Sequence, residues 1–404
     1  MSIIKPQTLK GFRDFLPKEA AQRQWLRNIM SKVCETWGYE PLETPTLEPL
    51  ELFAGQIGED EKLFFKFKDQ GGRDVALRYD QTVPTCRVIG QYNNQLIYPF
   101  RRYQIQPTFR AEKPQKGRYR EFTQFDIDIF GVASPSADAE VIAVTLDIYK
   151  KLGFKRAVAL INNRDLMKDV PYTAIASIDK LKKIGEEGVI GEMMKKGIEK
   201  GKAVSYLKYV QNIQPDKTIQ IIFDYLESSG FSKDWYKFEP TLARSFSYSQ
   251  GPIWEIVIPE YDENSSVGGG ERYDALIEKI SRQKVAGTGI GIGFDRTLES
   301  ALACGLVPDF KSISNVLVTV FSQELWNESI KISNSIRRNN ISVELYPDAQ
   351  IRLDKQLKYA NKKGIRYVVI AGPEEIKLNV VKLKDMKTGE QKTVRLENII
   401  NLKF

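Results

Sequence analysis

The sequence predicts an α+β protein that ends in a separate α/β domain, and three features lead to this prediction. Two strands are joined by the basic loop 113–118, which carries the turn formers Pro114 and Gly117. Residues 166–231, in which Lys, Glu and Gly dominate, predict helices interrupted by glycines. From about 314 onward strands and helices alternate, which is typical of an open α/β sheet.

Length and composition indicate a protein of two or three domains. A chain of 404 residues is too long for one small domain, and a hydrophobic fraction of 42% is ample for its cores. The net charge of +8 weakly favours an anionic partner such as nucleic acid or a nucleotide. The sequence shows neither an apolar run long enough to span a bilayer nor the apolar segment of a signal peptide. We therefore expect a cytoplasmic protein with no membrane partner.

The chain contains no histidine, which excludes several kinds of catalysis. Ser-His-Asp and Cys-His mechanisms and His-ligated zinc all need an imidazole. Phosphoryl and adenylyl transfer remain compatible, because they depend on placed charge more than on proton shuttling. Cys34, Cys86 and Cys304 lie far apart in the sequence, which favours buried small side chains over a disulfide framework or a zinc ribbon.

The first predicted elements are a helix, a strand that contains a proline, and a hairpin. Apolar residues recur at helical spacing over 18–38. The strand that follows contains Pro45, and a proline in a strand belongs at an edge or a bulge. Two short apolar runs with a Gly-Gly turn between them predict the hairpin over 64–78.

The strand after the basic loop alternates between two faces. Polar groups dominate one face and apolar groups the other, with Phe122, Gln124, Asp126 and Asp128 on the first and Thr123, Phe125, Ile127 and Phe130 largely on the second. With arginines at the loop end, the polar face suits a ligand that has phosphate at one end and a cationic or hydrogen-bonding group at the other. A charged hairpin facing solvent would show the same alternation, so the pattern alone does not decide between a ligand-binding face and a solvent-exposed one.

A glycine-rich strand at 287–293 leads into a helix that begins near Arg296. Glycines let a nucleotide approach the backbone closely, but they equally allow close packing of a strand against a helix. The spacing is not the dinucleotide-binding fingerprint, because Ile292 or Phe294 stands where the third glycine would belong.

The remaining elements follow from periodicity and from turn signals. A helix is predicted over 138–152, with Ser136 or Asp138 as its cap. The C-terminal strands and helices are expected, in chain order, at 315–321, 323–339, 341–346, 353–363, 365–370, 380–384 and 393–396.

Several segments resemble the motifs of class II aminoacyl-tRNA synthetases, and of the histidyl-tRNA synthetase family in particular. Residues 109–122, with Arg110, Glu112 and the basic loop, are similar to motif 2. The helix and strand around Pro45 resemble motif 1, which forms the dimer interface in that class, and 287–296 resembles motif 3. Residues 242–255 and 266–274 resemble the two histidine signatures, Arg-Gly-Leu-Asp-Tyr-Tyr and Gly-Gly-Arg-Tyr-Asp.

The resemblance implies a role for each matching residue on the nucleotide side. Arg110 and Arg244 would hold the α-phosphate of ATP, and Arg296 the γ-phosphate. Glu112 would accept from the adenine amino group. The other contacts would be made by Phe122 stacked on the base, Arg118 at the outer phosphates or the tRNA end, and Gln115 at the first base pair of tRNA-His.

On the amino-acid side, Asp80 and Thr82 would receive the α-ammonium group. The histidine pocket would also contain Arg110, Gln124, Asp128, Arg244, Tyr248, Ser249 and Tyr273. The chain departs from the family pattern here: Ser249 replaces the second tyrosine, 245–247 replaces Gly-Leu-Asp, and Glu271 replaces a glycine. A serine hydroxyl is shorter than a tyrosine, so these departures bear directly on specificity.

The resemblance also implies an organisation and an activity. We expect an antiparallel catalytic core flanked by helices at 1–165 and 232–312, a helical insertion at 166–231, and an anticodon-binding α/β domain at 313–404. The implied reaction ligates histidine to tRNA-His through a histidyl-adenylate in a homodimer, with ATP and Mg²⁺ and with no protein ligand assigned to the metal.

Two other functions remain open. A non-catalytic paralogue could regulate the ATP phosphoribosyltransferase of histidine synthesis, although such proteins usually lack the C-terminal domain and lose the arginines. A synthetase for proline, threonine or another amino acid of the subclass is disfavoured by Gln115 and by the 266–274 segment.

Overall fold

The computed structural model describes residues 6–54, 63–114, 118–244 and 249–401. The chain divides into two compact units, one formed mainly by Arg23–Val307 and the other mainly by Pro308–Phe404. No helix in the described ranges is long and apolar enough to cross a membrane.

The α-helices, in chain order, are α1 (Pro17–Thr36), α2 (Leu50–Phe53), α3 (Thr82–Tyr92), α4 (Pro135–Leu152), α5 (Tyr172–Ile178), α6 (Leu181–Lys195), α7 (Lys200–Gln211), α8 (Lys217–Ser228), α9 (Asp274–Ser281), α10 (Phe294–Ala303), α11 (Trp326–Arg337), α12 (Leu353–Lys363) and α13 (Pro373–Lys377). Short 3₁₀ helices lie at Arg164–Met167, Gln323–Leu325 and Leu396–Asn401.

The strands are β1 (Glu40–Pro41), β2 (Leu47–Pro49), β3 (Lys66–Lys68), β4 (Asp74–Leu77), β5 (Phe100–Phe109), β6 (Glu121–Phe130), β7 (Val158–Asn163), β8 (Tyr236–Phe238), β9 (Gln250–Ile258), β10 (Asp262–Arg272), β11 (Gly287–Gly293), β12 (Val316–Val318), β13 (Val343–Leu345), β14 (Tyr367–Ile370), β15 (Val380–Asp385) and β16 (Gln391–Arg395).

The first unit is built on an eight-stranded sheet in the order β1-β5-β6-β11-β10-β9-β7-β8. Its strands pair antiparallel, except that β1 lies parallel to β5 and β8 parallel to β7. The smaller sheet β2-β4-β3 contains the predicted hairpin near 64–78. The predicted antiparallel core flanked by helices is confirmed.

One face of this sheet carries the main hydrophobic core. Phe125, Ile127 and Ile129 of β6 are buried there together with apolar residues of α1 and α4. The expectation that Phe130 shares this face is wrong. Phe130 lies on the opposite face, where its ring packs 6.1 Å from Phe100 and 6.2 Å from Tyr273, because the next core position of the alternation is taken by Ile129.

The predicted helices of the 166–231 region are present, and they pack into two different hydrophobic clusters. Buried residues of α5, α6 and α7 share a cluster with β7 and β9, whereas Ile219, Ile222 and Leu226 of α8 belong to the main core. Ile221 is 37% exposed, because it lies roughly 100° around α8 from its buried neighbour Ile222. All four helices belong to the same compact unit as the sheet. The boundaries of the insertion stay a prediction.

The second unit contains a five-stranded sheet in the order β13-β12-β14-β15-β16. Strands β13, β12 and β14 are parallel, and β15 and β16 complete the sheet as an antiparallel hairpin. Helix α12 has the predicted bounds, the other predicted elements form within their segments or within two residues of them, and the short helix α13 was not predicted. The predicted α/β arrangement is confirmed.

Two local expectations are wrong. Helix α4 begins at Pro135 and is capped by Ser134, whose hydroxyl accepts from the Ser136 amide at 3.3 Å. Asp138 is buried and serves instead as a partner of Arg272. Pro45 lies between β1 and β2, not within a strand, because the carbonyls of Thr44 and Pro45 accept from the Arg78 guanidinium and not from a neighbouring strand.

Candidate active site

Two adjoining cavities open on the face of the large sheet that lies opposite the main core. The first, of about 390 Å³, is lined mainly by residues from β6, β10 and β11, from the segment that follows β5, and from the start of α3 and the turn before it. The second, of about 310 Å³, is lined by the basic-loop end of the β5–β6 hairpin and by the start of α10. Arg110, Glu112, Phe122 and Gly293 line both cavities, so the two are continuous.

Glycines make the floor of the first cavity bare. A Cβ atom on Gly289 would overlap the Asp128 carboxylate, and one on Gly269 would overlap the Arg244 guanidinium. Both polar side chains therefore lie flat over the backbone of β11 and β10. The glycine-rich segment 287–293 was expected to let a nucleotide or a helix approach the backbone closely. In the structure the close neighbours are charged side chains of the cavity as well as a helix.

Asp128 is held by one hydrogen bond and one ion pair at the bottom of the first cavity. The Tyr273 hydroxyl donates to Asp128 Oδ1, and the Arg102 guanidinium lies 2.6 Å from Oδ2. Burial raises the pKa of the Tyr273 hydroxyl, which keeps its proton in place for donation. Asp128 is 4% exposed, and a carboxylate with two such partners still has lone pairs for a ligand.

Asp126 lies beside Asp128 and was not assigned to the site from the sequence. Gln124 Nε2 donates to Asp126 Oδ1 at 2.8 Å, so Gln124 is oriented by a carboxylate. Burial raises the pKa of the Asp126 carboxyl to about 7, although Arg102 opposes this change. The even-numbered alternation along β6 was the signal for this position, because Asp126 falls between two assigned residues.

A buried polar network supports these carboxylates. The Arg102 guanidinium is fully buried, and its Nη1 donates to Gln104 Oε1 at 2.8 Å. Gln104 Nε2 in turn donates to the Thr44 hydroxyl at 2.9 Å. Arg78, also buried, donates to the Gln106 side chain at 2.8 Å. The network locks the side chains of β5, and no sequence pattern singled it out.

Arg110 lies at the junction of the two cavities. Its guanidinium is held between two rings, 4.3 Å from the centre of Tyr79 and 5.1 Å from that of Phe122. Its Nε donates to the Tyr79 carbonyl at 3.4 Å. Stacking fixes the plane of the cation while leaving its edge available to an anion.

Arg244, Ser249 and Glu271 meet on the far side of the first cavity. Arg244 Nη2 lies 3.3 Å from Glu271 Oε1, and the Ser249 hydroxyl donates to Glu271 Oε2. The Arg244 and Glu271 side chains are 14% and 10% exposed. Glu271 was named from the sequence only as a departure from a glycine, yet it lines the cavity.

Asp80 and Thr82 line the first cavity at the start of α3. Asp80 Oδ1 accepts from the Val83 amide at 3.1 Å, which is the hydrogen bond of a helix cap. Burial raises the pKa of the Asp80 carboxyl, against the effect of its hydrogen bonds and of Arg110. Its other oxygen can accept a hydrogen bond from a ligand.

The second cavity carries Arg118 and Arg296. Arg118 lies 3.5 Å from Glu112 in a partly exposed ion pair, so these two predicted contacts neutralise one another. Arg296 donates to the Ser266 carbonyl at 2.6 Å. With Arg110 between the cavities, the four predicted arginines line one continuous space.

Two predicted site residues, Gln115 and Tyr248, lie outside the described residues. In the described ranges, no group of three or more His, Cys, Asp or Glu side chains could hold a metal ion. The free cysteines lie elsewhere: Cys34 and Cys86 are buried and Cys304 is half-buried.

Comparison with known proteins decides the family. A family model described as histidyl-tRNA synthetase matches residues 11–188, and one described as an anticodon binding domain matches residues 315–402. The histidine–tRNA ligase of Wolinella succinogenes is 36% identical, over 97% of this chain and 96% of the relative. The chain belongs to the histidyl-tRNA synthetase family.

Other members of the histidyl-tRNA synthetase family match over a similar extent. The histidine–tRNA ligase of Helicobacter hepaticus is 34% identical, over 97% of this chain and 96% of the relative. The crystal structure of histidyl-tRNA synthetase from Nostoc sp. PCC 7120 superimposes with a TM-score of 0.86, at 26% identity over 98% of both chains. The resemblance stated from the sequence motifs is confirmed, and this family member brings its two departures, Ser249 and Glu271, into contact.

Proposed function

We propose that this protein is a histidine–tRNA ligase, which joins L-histidine to tRNA-His at the expense of ATP. One observation carries the proposal. Arg110 and Arg244 line the same cavity as Asp128 and Tyr273, and that cavity continues into one that carries Arg118 and Arg296. An acidic, hydrogen-bonding pocket thus adjoins a row of cations, as a bound amino acid beside a bound triphosphate requires.

In the first step the histidine carboxylate attacks the α-phosphorus of ATP, and pyrophosphate leaves. Arg110 and Arg244 neutralise the charge that develops on the α-phosphate, because their guanidiniums stay ionised and bind two oxygens at once. Arg296 binds the γ-phosphate. The Phe122 ring lies under the adenine, Glu112 accepts from its amino group, and Arg118 contacts the outer phosphates or the tRNA end.

Recognition of histidine uses the bottom of the first cavity. Asp80 and Thr82 receive the α-ammonium group at the start of α3. Asp128, fixed by Tyr273 and Arg102, accepts from one ring nitrogen, with Gln124 and Ser249 in the same pocket. A buried pocket built to form hydrogen bonds rejects analogues that leave its groups unpaired.

In the second step the terminal ribose hydroxyl of tRNA-His attacks the acyl-adenylate carbonyl, the bond between the acyl group and the phosphate breaks, and AMP leaves. The chain has no histidine to act as base, and we assign the proton to the adenylate phosphate. The basic loop that contains Gln115 would contact the first base pair of the tRNA, and the C-terminal unit would bind the anticodon.

A carboxylate of the second cavity fits a magnesium ion. Mg²⁺ usually binds through one or two carboxylates together with substrate phosphates, and Glu299 lines the cavity where the phosphates would lie. When bound, the ion supplies charge neutralisation on the pyrophosphate.

The proposal also includes an oligomeric state and a cellular location. We expect a homodimer, because the segment around Pro45 resembles the motif that forms the dimer interface in this class. Sedimentation at several protein concentrations measures it. Since charged tRNA is consumed by ribosomes, we expect the protein to work in the cytoplasm.

The alternatives are less well supported. A regulatory subunit would not need the C-terminal domain, whose family model matches residues 315–402 in this chain. Such a protein would also have no use for arginines in both cavities. A ligase for another amino acid would not explain full-length relatives named histidine–tRNA ligase.

Two assays test the proposal. We expect ATP–pyrophosphate exchange to depend on histidine, and aminoacylation of total tRNA, tried with each amino acid in turn, to proceed with histidine only. Exchange with another amino acid in place of histidine would contradict the specificity. Absence of any exchange, together with activation of an ATP phosphoribosyltransferase, would support the regulatory alternative.

A further inference from the structure

One row of residues crosses the sheet beneath the first cavity. In the strand register Arg102 of β5 pairs with Asp128 of β6, Asp128 with Gly289 of β11, and Gly289 with Glu271 of β10. Residues directly opposite one another in a sheet point to the same face. Asp128 and Glu271 therefore flank Gly289 on the cavity side.

Both carboxylates open into the first cavity, where an imidazole ring can lie between them. Strands lie about 4.8 Å apart, so the Cα atoms of Asp128 and Glu271, two strands apart, are separated by roughly 10 Å. The Asp128 carboxylate reaches over Gly289, where a Cβ atom would overlap it. A ring that bridges the two carboxylates therefore lies above the sheet, within the cavity, and not on the Gly289 backbone.

Each carboxylate has one hydroxyl donor and one guanidinium ion-pair partner. Asp128 has the Tyr273 hydroxyl and the Arg102 guanidinium, and Glu271 has the Ser249 hydroxyl and the Arg244 guanidinium. Glu271 and Ser249 are both 7% exposed. A carboxylate buried to this degree and aimed into a ligand cavity is positioned to accept a hydrogen bond.

We propose that Glu271 is a specificity-determining residue of the histidine pocket. Its carboxylate, fixed by Ser249, receives the ring N–H that faces away from Asp128. The inference rests on the proposed histidine–tRNA ligase activity. It explains why the two departures from the family pattern touch: the shorter Ser249 does not span the gap itself, and Glu271 provides the reach.

The arrangement has a chemical consequence for the substrate. A ring nitrogen that faces a carboxylate must carry a proton, and a neutral imidazole carries only one N–H. With an acceptor on each side, the bound ring donates from both nitrogens and is an imidazolium. The pocket thus rejects histidine analogues that cannot present two N–H donors.

The test measures the KM and kcat for histidine in ATP–pyrophosphate exchange. Glu271→Gln should raise the KM about tenfold with kcat within about threefold, because one charge-assisted hydrogen bond is weakened while the amide oxygen still accepts from Arg244. Ser249→Ala should also raise the KM for histidine. Glu263→Gln, a change to an exposed glutamate on the same strand, is the control and should leave both constants unchanged.

Analogues separate a ring contact from a structural role. The wild-type protein should discriminate strongly against triazolylalanine, which stays neutral, and against histidine methylated on either ring nitrogen. Glu271→Gln should reduce discrimination against triazolylalanine, and Glu271→Gly should relax discrimination against one methyl isomer, each by about tenfold. The other isomer, whose methyl faces Asp128, should still be rejected.

Three outcomes would overturn the inference while leaving the function intact. One is an unchanged KM and unchanged analogue discrimination in the Glu271 variants. The second is a loss of kcat at constant KM, which would assign Glu271 to positioning Arg244. The third, which applies if the Glu271 variants do not fold, is a Ser249→Ala variant whose KM and kcat for histidine equal those of the wild type. A wild-type protein without histidine-dependent exchange would refute the proposed function itself.

Discussion

The guanidinium of Arg244 occupies the space directly over Gly269, where a Cβ atom would otherwise stand. The two residues belong to different segments of the chain, since Arg244 precedes β9 and Gly269 lies within β10. The absence of a side chain at 269 is therefore a condition for the position of the cation in the first cavity.

This relationship predicts the effect of Gly269→Ala. The added methyl group displaces the guanidinium, and loss of one oriented charge in an active site typically costs about 100-fold or more in turnover. We expect histidine-dependent pyrophosphate exchange to fall by about that factor, with thermal unfolding little changed. Gly191→Ala is the control, because a Cβ atom there meets open space. Wild-type turnover in Gly269→Ala would show that the position of Arg244 does not matter.

Replacing Arg244 itself separates charge from geometry. Arg244→Lys keeps one positive charge but loses the planar pair of donors, so we expect kcat to fall by roughly 100-fold with a smaller change in the KM for ATP. Arg244→Ala should nearly abolish adenylation. Circular dichroism and thermal unfolding check that both variants fold. Near-wild-type exchange in the alanine variant would remove the assigned role at the α-phosphate.

Tyr273 and Asp128 should act as one unit. Tyr273→Phe removes the hydroxyl that donates to Asp128, and Asp128→Asn removes the charge that accepts from it. We expect each change to raise the KM for histidine at least tenfold, and the double variant to be little worse than the poorer single variant. Strictly additive losses, measured by pyrophosphate exchange, would mean that the two residues contact the substrate independently.

Much of this site follows from local sequence features, and the rest depends on long-range register. The β5–β6 hairpin was predictable, because alternation and turn formers are local signals. Arg102 was not, since an arginine on a strand ordinarily faces solvent and only pairing with β6 brings it against Asp128.

The same dependence on long-range contacts applies to the residues against which the helices pack and to those on the far side of the first cavity. The sequence predicted helices over 166–231 but not that one face of α8 joins the main core. Ser249 and Glu271 are 22 positions apart, and their contact exists only because β9 and β10 pair. Motif resemblance identified both residues as departures, and the structure adds that they form one contact.

The raised pKa of Asp126 predicts a pH dependence of stability. Burial lifts this carboxyl from 3.8 to about 7, so the folded state binds the proton more tightly than the unfolded state. Its stabilising contribution is complete below about pH 3.8 and is lost as the pH rises through about 7. Asp126→Asn removes this loss, so the variant should gain stability relative to wild type as the pH rises from about 4 to about 7, by at most about 1.4 kcal/mol per pH unit, with no further gain above that range. Urea unfolding at several pH values measures the difference. A difference that does not change with pH, or that changes in the opposite direction, would contradict the prediction.

Asp295 should contribute strongly to stability, because it joins three parts of the first unit. Its carboxylate lies 3.0 Å from Arg13 and 2.5 Å from Arg23, and it accepts from the Thr123 amide at 3.0 Å. The side chain is 13% exposed and stands in the first turn of α10, where a negative charge also favours the helix. Asp295→Asn leaves two cations without their carboxylate, so we expect a loss of about 3 kcal/mol in the free energy of unfolding. The exposed Asp309→Asn is the control, since its ion pairs are solvated and should contribute little. Equal urea midpoints for the two variants would show that the ion pairs of Asp295 contribute no more to stability than the solvated ion pairs of Asp309.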